Sequence, residues 1–328
     1  MVQVEFQNPA QIRSRQEKNF AAMMRHVMAG NRFYQEKYMP LTGERPIGLS
    51  DLGSLPFTFR SELVKDQKHH PPFGTNLTFP LSKYTRIHQT AGTSNHPLRW
   101  LDTDDSWKWW LECWKEAYEA AEVTAGDRVF VVRSFSPSIG FWAACEAGCQ
   151  LGALMIPGGD GNRAEQLRML VDHDSTVMVA TPQDALRLWE AARVEGRDLK
   201  GNSVRATICA GETRAKPHNG KPKIEAGWGG NRFELAFSTE VGAWAFGCGQ
   251  RKGLHVIEAE FVVEVVDPTT RERVAANNKG VQRGEIVLTN LRRVGSPLIR
   301  YCTGNMAELS REPCPCGRMA ALIRPVES

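Results

Sequence analysis

Between Arg128 and Ala210 short apolar runs alternate with stretches of helical spacing, and few folds accommodate that alternation. Residues 128–132, 153–157, 176–180 and 206–210 are rich in Val, Ile, Ala and Met and too short for helices. Runs of this kind read as strands buried on both faces. Residues 140–151, 162–173 and 182–195 lie between them and carry apolar positions at helical spacing. A strand, a helix and a further strand in one sheet join by a right-handed crossover, so the segment predicts an α/β fold, a doubly wound and mostly parallel sheet covered on both faces. Such sheets hold ligands at the carboxyl ends of their strands. Gly158 to Gly161 and Gly211-Glu212 fall at two of those ends.

On the N-terminal side, residues 9–38 place Ile12, Phe20, Met23, Met24, Val27, Phe33 and Tyr34 at helical spacing, which predicts one or two amphipathic helices. A turn over 51–57 precedes a short helix capped by Thr58 or Ser61. The helix expected over 104–121 carries Trp107, Trp110 and Trp114 on one stripe, a packing pattern more than a binding platform. Beyond residue 244 apolar runs alternate with turns, as in a small β subdomain over 245–328. The 41 basic and 37 acidic residues are interspersed, so the net charge of +4 gives no argument for nucleic acid. No window reaches the roughly 18 apolar residues of a membrane span, and the N-terminus has no signal-peptide apolar stretch. Eight cysteines, several within apolar patterns (Cys113, Cys145, Cys149, Cys209), fit reduced buried thiols and a cytoplasmic protein.

Three segments carry chemistry-bearing residues. The turn within 85–97 holds Thr90, Gly92, Thr93 and Ser94, whose hydroxyls and uncovered amides suit either a phosphate cradle or a polar surface turn. Ser238-Thr239-Glu240 follows the apolar run 233–237, and residues 284–291 lead into 296–305, which ends Arg300-Tyr-Cys-Thr-Gly-Asn305. Separately, Cys248, His255, Cys314 and Cys316 supply the three sulfurs and one imidazole of a closed tetrahedral zinc site. A plain cysteine pair is the other reading of the last two.

In this order and spacing the three segments resemble the phosphate-binding loop, the Thr-Glu motif and the Arg-Tyr-x-Thr-Gly-Asp motif of the adenylate-forming enzymes. The branch that the chain is similar to, over essentially all 328 residues, is the phenylacetate-CoA ligase family. The resemblance implies the α/β large domain of that superfamily: N-terminal helices and AMP-binding subdomains over 1–244, and the β subdomain with its zinc site over 245–328. It further implies that the family's mobile lysine-bearing C-terminal domain, of about a hundred residues, is absent. The implied activity joins an aromatic or other small carboxylic acid to ATP as an acyl-adenylate and then to coenzyme A as a thioester.

The implied roles follow the motifs. Thr90, Gly92, Thr93 and Ser94 cradle phosphate, Thr239 meets the α-phosphate, and Glu240 holds magnesium, a hard ion that prefers carboxylate oxygen. Gly211, Glu212, Phe237 and Ser238 line the nucleotide, Asn305 meets the ribose, and Phe135, Phe141 and Gly158 border the acid. Three positions depart from the pattern. His96 stands where the family has lysine, Ala236-Phe237 where it has Tyr-Gly, and Asn305 where it has aspartate. Charge-assisted hydrogen bonds are the stronger kind, so these changes weaken the grip on ATP. The alternative is a degenerate or partner-dependent homologue that binds an acid or acyl-adenylate; relatives of this family are often homodimers.

Overall fold

The computed structural model describes residues 8–90, 96–135, 139–199, 201–211 and 221–326. The chain opens with helices α1 (Pro9–Gly30), α2 (Arg32–Thr42) and α3 (Arg60–His69), followed by the hairpin β1 (Tyr84–Gln89) and β2 (Arg99–Thr103). Helix α4 (Asp104–Ala120) leads into the alternating segment: β3 (Arg128–Val131), α5 (Ile139–Gln150), β4 (Leu154–Pro157), α6 (Arg163–Asp172), β5 (Val177–Ala180), α7 (Pro182–Val194) and β6 (Ala206–Gly211). Then come α8 (Lys221–Trp228), β7 (Asn231–Ser238), β8 (Gly242–Gly247), β9 (Leu254–Val256), β10 (Phe261–Val266), β11 (Val281–Asn290), β12 (Tyr301–Ser310) and β13 (Leu322–Pro325). No helix among the described residues is long and apolar enough to cross a membrane.

The expectation that these strands are buried on both faces is met residue by residue. Val129, Val131, Val177, Val179, Ile208 and Ala210 join the core beneath α4 and α5. Their neighbours Phe130, Val132, Met178, Ala180 and Cys209 face the opposite core, with Leu167 and Leu170 of α6, Leu188 of α7 and Trp228 of α8. Side chains alternate across a strand, so both faces had to be apolar for the sheet to be covered twice. Strands β4, β3, β5, β6 and β7 are parallel, in that order.

From β7 the same sheet continues antiparallel through β8, β9, β13, β12 and β11 to β10, making eleven strands. The expected junction between 244 and 245 falls within β8, so ladder hydrogen bonds run across it. One local expectation is corrected. Thr58 and Ser61 do not cap α3: the Glu62 carboxylate accepts the Phe59 N–H at 2.7 Å, while the Thr58 hydroxyl donates to the Ile299 carbonyl at 2.7 Å. Among the thiols, Cys113 and Cys209 are buried, but Cys149 is exposed at the end of α5.

Candidate active site

The site is assembled on the loop between β11 and β12. Arg293, at its centre, is 0% exposed, as is Asp102 on β2. Its guanidinium donates twice to Asp102, Nε at 2.8 Å and Nη2 at 2.6 Å. Nη1 donates to the carbonyls of Thr239 (2.7 Å) and Glu240 (2.9 Å). The indoles of Trp100 and Trp110 lie within 5.4 Å and 5.3 Å of the guanidinium carbon, so the charge is enclosed by π-faces and hydrogen-bond acceptors together. One side chain thereby fastens the Thr-Glu turn to the β1–β2 hairpin. Gly242 completes the turn at φ +108°, where a Cβ would meet the Trp109 ring at 2.6 Å. The Val241 N–H donates to the Ser238 hydroxyl at 3.2 Å.

At the neck of the hairpin loop, the Thr90 hydroxyl accepts from the Leu98 N–H at 2.9 Å and the Thr90 N–H donates to the Leu98 carbonyl at 3.0 Å. Thr90 thus closes the loop. Gly92, Thr93 and Ser94, expected to cradle phosphate, and Glu212 lie outside the described residues. Arg60, the first residue of α3, ties this neck to the Thr-Glu turn. Its Nη2 donates to the His96 carbonyl at 3.2 Å, and its Nε lies 3.9 Å from Glu240 Oε1. A guanidinium therefore stands beside His96 at the neck of the loop. Sequence reasoning missed Arg60, Asp102 and Arg293, because their partners are remote along the chain.

The other expected residues are distributed around this centre. Gly211 ends β6, level with Ala236 of β7. Asn305 follows Gly304 (φ +71°) at a register shift of β11–β12, where the Gly304 N–H donates to Glu285 at 3.0 Å and the Thr303 hydroxyl accepts from the Asn305 N–H at 3.1 Å. Its carboxamide hydrogen-bonds to none of the described residues and is partly exposed. Arg300 of the same motif points elsewhere. It pairs twice with Glu264 and donates to the Gly53 carbonyl, anchoring the N-terminal segment.

Phe237 is 8% exposed, its ring packed against Trp110, Trp114 and Phe141 at centroid distances of 6.5, 6.2 and 6.2 Å. The ring expected to line the nucleotide is thus packed against α4 and α5. Phe141 belongs to that aromatic layer, and Phe135 packs partly buried against the same core. Gly158 hydrogen-bonds to the Val131 carbonyl at 2.7 Å and fits tightly over Phe130, closing the end of β4. Beside it a polar cleft of about 320 Å³ holds Arg133 and Arg163, both bound to the buried carboxylate of Asp184.

His88 on β1 carries the main electrostatic anomaly. It is 4% exposed, stacked on Trp107 at 5.7 Å, with Nε2 3.9 Å from Asp102 Oδ2. Burial outweighs the attraction of Asp102 and pushes its pKa down from 6.5 to about 4, helped by Arg293 and Arg86. The unfolded chain thus takes up this proton at higher pH than the native one does. Stability from a neutral His88 is present above pH 6.5 and lost as pH falls towards 4. The shift corresponds to about 3 kcal/mol. His88→Phe is expected to flatten the fall of the urea midpoint between pH 7 and 4.5; an unchanged slope would refute the assignment.

At the far end of the antiparallel half, Cys248 after β8, His255 on β9 and the Cys314–Cys316 turn before β13 converge. Their ligand atoms all lie within 4.8 Å of one another. Cys248 and Cys314 sulfurs are 3.8 Å apart, and Cys316 Sγ is 3.4 Å from His255 Nε2. The first distance is far beyond a disulfide bond. Both match the edges of a tetrahedron with metal–sulfur bonds of about 2.3 Å and metal–nitrogen bonds of about 2.0 Å.

No family model matches the chain. It is 26% identical over 324 residues to the phenylacetate-coenzyme A ligase of Thermus thermophilus, covering 96% of this chain and 69% of that protein. It is 24% identical over 304 residues to the phenylacetate-coenzyme A ligase of Pseudomonas putida, covering 91% and 66%. The chain thus spans about two thirds of the length of these relatives. Among solved structures, 2-hydroxyisobutyryl-CoA ligase in complex with 2-HIB-AMP and CoA superposes with a TM-score of 0.88 at 25% identity, covering 97% of this chain and 68% of that one. The open conformation of that ligase gives 0.84 at 25% identity.

The fold, a large mixed sheet covered by helices, is therefore that of the acyl-CoA ligases in the adenylate-forming superfamily. Within that class the chain is a homologue of the phenylacetate-CoA ligases.

Proposed function

We propose that the chain activates a small carboxylic acid with Mg-ATP, forming an acyl-adenylate and releasing pyrophosphate, and passes the acyl group to coenzyme A. The observation that carries this reading is the convergence of Glu240, Arg60 and the hairpin neck, where Arg60 contacts the His96 carbonyl and lies 3.9 Å from Glu240. Transfer at phosphorus rests on positioning and charge neutralisation more than on a protein nucleophile. Arg293 holds the carbonyls of Thr239 and Glu240, which directs the Glu240 side chain toward the neck. Glu240, a hard carboxylate ligand, would hold magnesium, which would supply charge neutralisation at the phosphates. Arg60 brings a fixed cation to the neck, beside His96 and Glu240.

Zinc fits the Cys248, His255, Cys314 and Cys316 cluster, whose four ligands close the tetrahedron and leave the ion a structural role. Use of ATP and coenzyme A supports a cytoplasmic location for the protein. A second reading, a partner-dependent or dimeric homologue that binds the acid or its adenylate, is favoured by one observation: Asn305 offers a neutral carboxamide where the family has a carboxylate.

Pyrophosphate release from Mg-ATP across a panel of aryl and alkyl acids, with hydroxylamine trapping the adenylate, tests the two. Release dependent on one acid class is expected, and Glu240→Gln should lower it by roughly two orders of magnitude. Release from no acid, by folded wild-type protein, would move the assignment to the binding homologue.

A further inference from the structure

Helix α3 has two faces with different partners. On the inner one Leu63 is buried, Asp66 accepts from the Thr75 N–H and hydroxyl at 2.7 Å each, and Gln67 exchanges two hydrogen bonds with Arg99 at the start of β2. Glu62 is taken by Lys37 at 2.8 Å. The outer face presents Arg60, Ser61, Val64, Lys65 and Lys68, which line an open groove of about 420 Å³. Positions 60, 64 and 68 repeat every four residues, with 65 beside them, so these side chains share one stripe of the helix.

Both acids of α3 face other partners, so the helix contributes three cations and no carboxylate of its own to this face, and the nearest carboxylate is Glu240 at its head. Lys65 and Lys68 are exposed and make no ion pair among the described residues. At its head, Arg60 reaches the His96 carbonyl and the neighbourhood of Glu240. The groove therefore begins where the proposed reaction sheds its anion.

We infer that the outer face of α3 is a polyphosphate subsite, along which Lys65 and Lys68 hold the pyrophosphate end of ATP and guide the leaving pyrophosphate to solvent. The inference rests on the adenylation reading. In that step a carboxylate oxygen of the acid bonds to the α-phosphorus and the bond from that phosphorus to the α–β bridging oxygen breaks. The electron pair departs with magnesium pyrophosphate, whose charge of about −2 calls for a continuous cationic path. Arg60 stands at its entrance, and Lys65 and Lys68 lie one and two helical turns further on.

Calorimetric titration of the full chain with magnesium pyrophosphate and, separately, with Mg-ATP tests this. The variants are Lys65→Gln/Lys68→Gln and the charge-preserving Lys65→Arg/Lys68→Arg. The glutamine pair is expected to bind pyrophosphate roughly tenfold more weakly at low ionic strength, and the arginine pair to restore it. The difference should shrink at about 0.5 M salt, where screening acts within a few ångströms. Wild-type binding of ATP with the same pyrophosphate affinity in the glutamine pair would overturn the subsite alone. Lysine-dependent pyrophosphate binding without ATP binding would support the subsite and overturn the adenylation reading. Binding of neither would overturn both.

Discussion

Arg293→Met is expected to destabilise the protein by about 3–5 kcal/mol, because it leaves the carboxylate of Asp102 buried without a counter-charge. Asp102 is 0% exposed, and both its oxygens accept from Arg293. The same substitution strands the carbonyls of Thr239 and Glu240, each a buried or partly buried acceptor whose lost partner costs about 1–3 kcal/mol. Against a total stability of about 5–15 kcal/mol this is a large fraction. Arg293→Lys keeps the charge but cannot donate bidentately and to two carbonyls at once, so it should recover only part of the loss.

The double variant Asp102→Leu/Arg293→Met removes both charges together. It is expected to be more stable than Arg293→Met alone, since an apolar pair of similar volume avoids the unpaired carboxylate. Guanidinium unfolding midpoints of the four proteins decide the matter. A loss under about 1 kcal/mol in Arg293→Met would show that the Thr-Glu turn is held by other contacts.

Removal of metal from the Cys/His cluster is the second large effect. The cluster joins β8, β9 and the turn before β13, with Cys248 and Cys314 standing 66 residues apart in sequence. The proposed zinc would contribute its binding free energy directly to the fold. If chelation removes about 5 kcal/mol, the melting temperature should fall by about 7 °C in a chain of this size. Metal analysis is expected to give one zinc per chain, and adding zinc back should restore the transition. Cys314→Ser/Cys316→Ser should show the lowered transition without chelator. Metal-free protein that melts at the same temperature as the metal-loaded one would sink the zinc assignment.

The two effects differ in how much of their cause is visible along the chain. Two cysteines one residue apart, with a third sulfur and an imidazole at 248 and 255, already state a ligand set, because metal preference is written in residue type. The structure supplied the distances. Nothing in the spacing of Asp102 and Arg293, 191 positions apart, states that they meet. The same holds for Arg60 and Glu240.

The sequence by itself determined the doubly wound half of the sheet, the Trp-lined α4 and the identity of the Thr-Glu and Cys/His residues. These rest on continuous apolar runs, on the 3.6-residue period and on side-chain chemistry, which are local properties. Only the tertiary structure decided that the antiparallel strands extend the same sheet through β8, that Phe237 turns into the aromatic layer, and that Arg300 anchors the N-terminal segment through Glu264. It also decided that Arg60 supplies a cation beside His96. These outcomes depend on which distant surfaces pack together, and a buried charge or ring takes its role from the partner it meets there.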